Sequence, residues 1–150
     1  MRVALYQPEI AGNVGAVMRL GACLGAAVDL IEPMGFAWDD RRVRRTAMDY
    51  IDHVEIVRHQ GFDAFRQTVG AARIVLFTTR ATVSPYDFAF GGDDILLFGQ
   101  ESAGVPQNVR EACDASVCLP IRAEVRSLNL ASAVAIGLGE ALRQTRRLPS

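Results

Sequence analysis

The chain has 150 residues, enough for one domain with a real core and too few for two ordinary ones. Half of it is hydrophobic, 22% is charged and the formal net charge is −1, which fits a globular protein and excludes nucleic-acid binding by bulk charge. No window approaches the roughly 18 continuous apolar residues of a membrane span, and no leader pattern opens the sequence, so a cytoplasmic setting without a membrane partner is expected.

Residues 3–6 read as a short strand ending at Gln7-Pro8-Glu9. Gly12 and Asn13 mark a turn and a helix cap. Residues 14–24 follow as a helix with Val14, Val17, Met18, Gly21 and Leu24 on one face and Gly25 as C-cap. Residues 28–31 form a second strand, closed by Glu32-Pro33-Met34-Gly35. Asp39 and Asp40 precede Arg41, Arg42, Arg44 and Arg45, placing acids at a helix N-terminus and bases after them, as the macrodipole favours. The pattern then predicts a strand over 54–57, a helix over 62–69 and a buried strand over 74–79. Ser84-Pro85-Tyr86 interrupts, and 87–90 reads as irregular or edge structure. A buried strand over 95–99, a Pro-started helix over 106–111 and a strand over 116–119 lead to the last segment. There a polar loop feeds a helix running to Leu142. That helix is apolar almost all round, which predicts burial on most sides. Ser127 and Asn129 stand where its N-cap should be. They either cap a core helix or aim polar groups at a site.

Strands alternating with helices define an α/β fold with a mainly parallel sheet flanked by helices, one domain covering 1–150. Ligands in such sheets sit at the carboxyl ends of the strands. All 16 basic residues are Arg, which suits phosphate contact and is equally what a GC-rich genome produces. Cys23, Cys113 and Cys118 form no CxxC pair and read as reduced, structural thiols. His53 and His59 have no companions at metal-ligand spacing, so no metal is expected.

Three stretches carry chemistry. Gly12-Asn13-Val14-Gly15 follows the first strand, with Glu32 about 20 residues on, as in a dinucleotide site, yet the pattern is GxxG and not GxGxxG. Arg19 is the sole charge between Glu9 and Asp29. Either it is a solvated helix charge or it has a specific job. Gly99-Gln100-Glu101-Ser102-Ala103-Gly104 holds a carboxylate between two glycines after a buried strand, the layout of a binding loop or of an ordinary strand–helix turn. Ser127-Leu128-Asn129 is the third.

Read together as Asn-x5-Arg, Gly-x-Glu-x-x-Gly and Ser-x-Asn, these stretches stand in the order and spacing of the three motifs of the SPOUT methyltransferases, which the chain resembles. With Tyr6-Gln7-Pro8-Glu9-Ile10 and the run from Glu32-Pro33-Met34-Gly35-Phe36 to Asp40, it is similar to the TrmL family of tRNA ribose 2′-O-methyltransferases. The resemblance implies S-adenosylmethionine as cofactor, a C-terminal trefoil knot around it, and a homodimer whose active site uses both chains. It implies 2′-O-methylation of the wobble nucleotide 34, a cytidine or modified uridine, in the anticodon stem-loop of leucine tRNAs. The implied catalytic residues are Asn13, Arg19, Glu101, Ser127 and Asn129. The implied donor contacts are Phe77, Thr78, Gly99, Glu101, Gly104, Leu119, Ile121, Ser127, Leu128 and Asn129. Arg19, Arg41, Arg42, Arg44 and Arg45 are expected to contact tRNA. Ala11-Gly12 stands where relatives often have Pro-Pro, and Ala103 where many carry a basic residue. The competing readings are a non-catalytic RNA-binding module and a nucleotide-dependent oxidoreductase.

Overall fold

The computed structural model describes the backbone of residues 1–150 and the side chains of all of them but 46–48. Six strands form one sheet: β1 (Arg2–Tyr6), β2 (Ala27–Ile31), β3 (Ile56–His59), β4 (Ile74–Phe77), β5 (Ile95–Phe98) and β6 (Ala115–Val117). Their order is β3-β2-β1-β5-β4-β6 and every pairing is parallel. The helices are α1 (Ala11–Leu24), α2 (Asp40–Ala47), α3 (Phe62–Val69), α4 (Gln107–Glu111) and α5 (Leu130–Gln144).

A parallel sheet needs cover on both faces, and its strands accordingly read as continuous apolar runs. Side chains alternate across it. Val3, Leu5, Val28, Leu30, Val75, Leu96 and Phe98 pack with Val14, Val17 and Met18 of α1 and Val134, Leu138 and Ala141 of α5. Ala4, Tyr6, Ile31, Ile74, Leu76, Ile95 and Leu97 pack with Phe65 of α3 and Val109 of α4. Fully burying a side chain of the Val, Leu or Phe class contributes about 1.5–3 kcal/mol, so these two layers supply most of the cohesion.

Three local expectations are corrected. Gly12 and Asn13 do not cap α1. The helix already starts at Ala11 with Ile10 as N-cap, and Asn13 is buried in its first turn with its side chain committed elsewhere. Gly25 does close α1, at φ 70°. The third strand lies at Ile56–His59 rather than 54–57, because a 3₁₀ helix (Met48–His53) takes up the chain before it. His59 ends that strand buried, its Nε2 2.8 Å from Oδ1 of Asp29, which also accepts from Arg2. Residues 84–90 are turns and irregular backbone, the first of the two forms expected of 87–90.

The last correction concerns α5. It buries only one face, and Ser132 and Ile136 point outward, Ile136 at 40% exposure. The sheet covers one side of the helix, and its outer side stays open in the single chain. Asn129 alone is the N-cap, its side chain accepting from the Ser132 N–H at 3.2 Å. Ser127 lies in the exposed loop before it. Gly137 is required on the inner face, since a Cβ there would stand 2.6 Å from the Phe77 ring. The thiols also divide. Cys23 is exposed on α1, whereas burial pushes the Cys113 thiol up to about 11.

Candidate active site

The carboxyl ends of β4, β5 and β6, with the first turns of α1 and α5, border a cleft of about 720 Å³. That is within the range of about 300–1,000 Å³ common for small-ligand sites. The loop after β5 shapes one wall. Gln100 and Gly104 exchange backbone hydrogen bonds of 2.8 and 3.0 Å, closing a tight turn. A Cβ on Gly99 would stand 2.5 Å from the Gly104 backbone, and Gly104 itself has φ 64°. Both glycines are therefore demanded by backbone geometry.

That turn delivers Glu101 to the start of α1. Its Oε2 accepts the Glu9 N–H at 2.9 Å, and its Oε1 accepts the Ile10 N–H at 3.2 Å and Asn13 Nδ2 at 3.3 Å. The Glu9 carboxylate accepts in return from the Ser102 N–H at 3.0 Å and the Ser102 hydroxyl at 2.7 Å. These donors hold the Glu9 carboxyl below its ordinary range. Asn13 Oδ1 accepts from Asn129 Nδ2 at 3.0 Å, and Asn129 Oδ1 caps α5. One chain of hydrogen bonds thus ties the first turn of α1 to segments 88 and 116 residues further along. Such a network holds its members in one geometry only when every member is satisfied. Glu101, with its oxygens occupied by backbone N–H groups, is built to position the loops.

The structure brings most of the expected residues to this cleft. Phe77, Thr78, Gly99, Glu101, Gly104, Leu119, Ile121, Ser127, Leu128, Asn129 and Asn13 all line it. Arg19 does not. It is exposed on α1, its guanidinium 4.8 Å above the centre of the Tyr50 ring. Arg41, Arg42, Arg44 and Arg45 also lie away from the cleft, exposed on α2 around the buried Val43. Sequence reasoning missed the Glu9–Ser102 clamp and the Gln100 Nε2 to Gln7 Oε1 bond of 3.1 Å. The signal was present in the polar Gln7-Pro8-Glu9 run at a strand end. It also missed Arg80, Arg110 and Arg126, three cations on the cleft wall that no local pattern singles out.

The floor is apolar, from Leu76, Phe77, Phe98, Leu130 and Ala133, and the upper wall is polar, with Thr78, Thr79, Gln100, Ser127 and Asn129. Such a lining fits a small amphiphilic ligand with an apolar body and a polar edge. Among the described residues no group of three or more His, Cys, Asp or Glu could hold a metal ion.

A parallel α/β sheet with a cleft at its carboxyl edge defines a class: open-sheet α/β proteins that bind a small ligand at the carboxyl ends of their strands. Within that class the SpoU rRNA Methylase family matches residues 1–139, and the chain belongs to it. A tRNA (cytidine(34)-2′-O)-methyltransferase of Beijerinckia indica is 51% identical over 148 residues, covering 97% of this chain and 92% of the relative. A solved structure described as giving insight into the 2-OH methylation of C/U34 on tRNA superposes with TM-score 0.90 at 40% identity. It covers 95% of this chain and 94% of that one. An AdoMet-bound rRNA methyltransferase from Sinorhizobium meliloti aligns with TM-score 0.85 at 27% identity, over 95% of this chain and 55% of its own.

Proposed function

We propose that this chain is an S-adenosylmethionine-dependent methyltransferase acting on the ribose 2′-oxygen of nucleotide 34, a cytidine or modified uridine, in leucine tRNAs. The observation that carries this reading is the hydrogen-bonded junction of Asn13, Glu101 and Asn129 on one cleft. It joins one residue of each of the three family motifs in a chain similar to enzymes named for that reaction.

The cleft fits the methyl donor by its size, its apolar floor and its polar wall. Phe77, Thr78, Gly99, Gly104, Leu119, Ile121 and Leu128 would hold it, with Ser127 and Asn129 beside them. Bound there, S-adenosylmethionine supplies an electrophilic methyl carbon with a built-in leaving group. The protein's part is alignment, exclusion of water and help in losing the hydroxyl proton. Glu101 is not the base in this scheme, because its oxygens already accept three N–H donors. Arg19 is not a base either, since a guanidinium keeps its proton. It donates to the ribose oxygen and the adjacent phosphate, stabilising the charge that develops on oxygen, and the phosphate or solvent takes the proton.

Arg19 lies outside the cleft of its own chain, and this supports a homodimer in which the Arg19 of one chain serves the cleft of the other. The open side of α5 is the surface for that pairing. The exposed arginines of α2 contact the tRNA backbone, residues 1–150 act as one domain with its C-terminal segment knotted, and work on tRNA places the protein in the cytoplasm. In the described residues no helix is long and apolar enough to cross a membrane. The test is transfer of labelled methyl groups from S-adenosylmethionine to separated, undermodified tRNA isoacceptors. Leucine tRNAs are expected to be labelled. Equal labelling of unrelated tRNAs would contradict the assigned substrate.

A further inference from the structure

Glu9 stands outside the cleft lining, yet both its backbone and its side chain are bound to the loop that forms one wall. Its N–H donates to Glu101 Oε2 at 2.9 Å, and its carboxylate accepts from the Ser102 N–H at 3.0 Å and the Ser102 hydroxyl at 2.7 Å. Each carboxylate thus holds a backbone N–H of the other's segment, the reciprocity of a capping box made between loops 92 and 93 residues apart. The neck of the 99–104 loop closes on its own backbone through Gln100 and Gly104. Its tip is tied down through side chains: Glu101 reaches across to residues 9–13, and Glu9 reaches back to Ser102. Glu9 is in turn held from behind. Gly35 donates its N–H to the Pro8 carbonyl at 2.9 Å, and a Cβ on Gly35 would stand 2.8 Å from Glu9 Cα. Gln7 takes the left-handed region at φ 44°, uncommon outside glycine, and its side-chain oxygen accepts from Gln100 Nε2 at 3.1 Å. A strained backbone persists where its surroundings over-determine it, and such residues cluster at functional sites.

We propose that Glu9 is a positioning residue for the methyl donor: through Ser102 it holds the tip of the 99–104 loop in the shape that the donor binds. This assignment rests on the methyl-donor reading above. Glu9 acts without touching the ligand. Ordering a loop at the moment of binding weakens affinity, and a loop already ordered by its own protein avoids that loss. Ser102 is exposed and Glu9 half-buried, so their contact contributes little to global stability. Its effect falls on the cleft that Ser102 lines.

The experiment measures S-adenosylhomocysteine binding, KM for S-adenosylmethionine, kcat and ligand-free melting temperature for Glu9→Ala, Ser102→Ala and the double variant. Glu9→Ala is expected to bind S-adenosylhomocysteine roughly threefold to tenfold more weakly, the size of one ordering loss at a binding site. Its KM for S-adenosylmethionine is expected to rise by a larger factor than kcat falls, with the melting temperature level. Ser102→Ala is expected to weaken binding in the wild-type background and to add nothing beside Glu9→Ala, because the two side chains act as one contact. Wild-type affinity in Glu9→Ala overturns the assignment. An affinity loss accompanied by a lowered melting temperature marks a structural role and also overturns it. So does a Ser102→Ala effect undiminished in the double variant, which puts the hydroxyl on the ligand itself. If Glu9→Ala does not fold, Glu9→Asp decides, since it keeps the charge and shortens its reach: weaker binding supports the assignment and wild-type affinity overturns it. A wild-type protein that does not bind S-adenosylhomocysteine overturns the methyl-donor reading itself, and this assignment with it.

Discussion

At the scale of single residues, Glu101 is the junction. Replacing it with Gln puts an amide donor among the N–H groups of Glu9 and Ile10, and at least one of them loses its acceptor. An unsatisfied buried donor costs about 1–3 kcal/mol. The expected outcome for Glu101→Gln is a lower melting temperature, weaker donor binding and slower turnover together. Turnover lost alone, with donor affinity and stability intact, would instead assign Glu101 to proton transfer. Asn129 does two jobs that separate by substitution. Asn129→Ser keeps a capping oxygen and removes the amide that donates to Asn13, whereas Asn129→Ala removes both. Urea denaturation should show a loss of about 1 kcal/mol for Ala and less for Ser, while both reduce methyl transfer. That Asn13, Glu101 and Asn129 belong together was legible from motif spacing. Their division of labour was not, because Asn13 looks like a cap in sequence and becomes a bridge only when Glu101 and Asn129 arrive from far along the chain.

Elements show a similar split. The apolar runs made β1, β2, β4 and β5 legible to within two residues, and α3 was legible to the residue. The third strand was displaced because residues 54–57 are more apolar than Ile56–His59, and only pairing against β2 sets the register. The polar ending of β3 makes sense once Asp29 is seen buried beside His59. For the loop after β5 the two glycines predict a turn intolerant of any side chain. Gly99→Ala forces a methyl group onto the Gly104 backbone and should cost about 1–3 kcal/mol with loss of donor binding, as read by calorimetry.

The far end of α5 carries a pH-dependent anchor. Glu140 accepts from Arg143 at 2.8 Å and from Gln144 at 2.8 Å, and Gln144 in turn binds the Pro85 carbonyl and the Phe90 N–H. Arg143 first, then Gln144, holds the Glu140 carboxyl at about 2 against an ordinary 4.5. A depressed carboxyl contributes stability that is full above pH 4.5 and disappears as pH falls to about 2. The melting-temperature deficit of Glu140→Gln should therefore be constant above pH 4.5 and vanish near pH 2. A deficit that persists at low pH would place the effect in packing.

For the whole molecule, net charge hides the distribution that matters. The chain is nearly neutral overall, yet exposed arginines crowd α2 and three more line the cleft. Replacing Arg41 and Arg44 with Ala should weaken tRNA binding and flatten its salt dependence by about one unit of log–log slope per lost phosphate contact. An unchanged slope would remove α2 from the interface. Parallel α/β architecture was legible from alternation alone. The open outer face of α5 was not, because an apolar helix reads as buried whichever molecule covers it. Methylation at one ribose is tested by mapping the labelled nucleotide after incubation of undermodified leucine tRNA with the enzyme and labelled S-adenosylmethionine. Label is expected on the 2′-oxygen of nucleotide 34, and its loss is expected in Arg19→Ala. Label on a base, at another nucleotide, or on no nucleotide would contradict it.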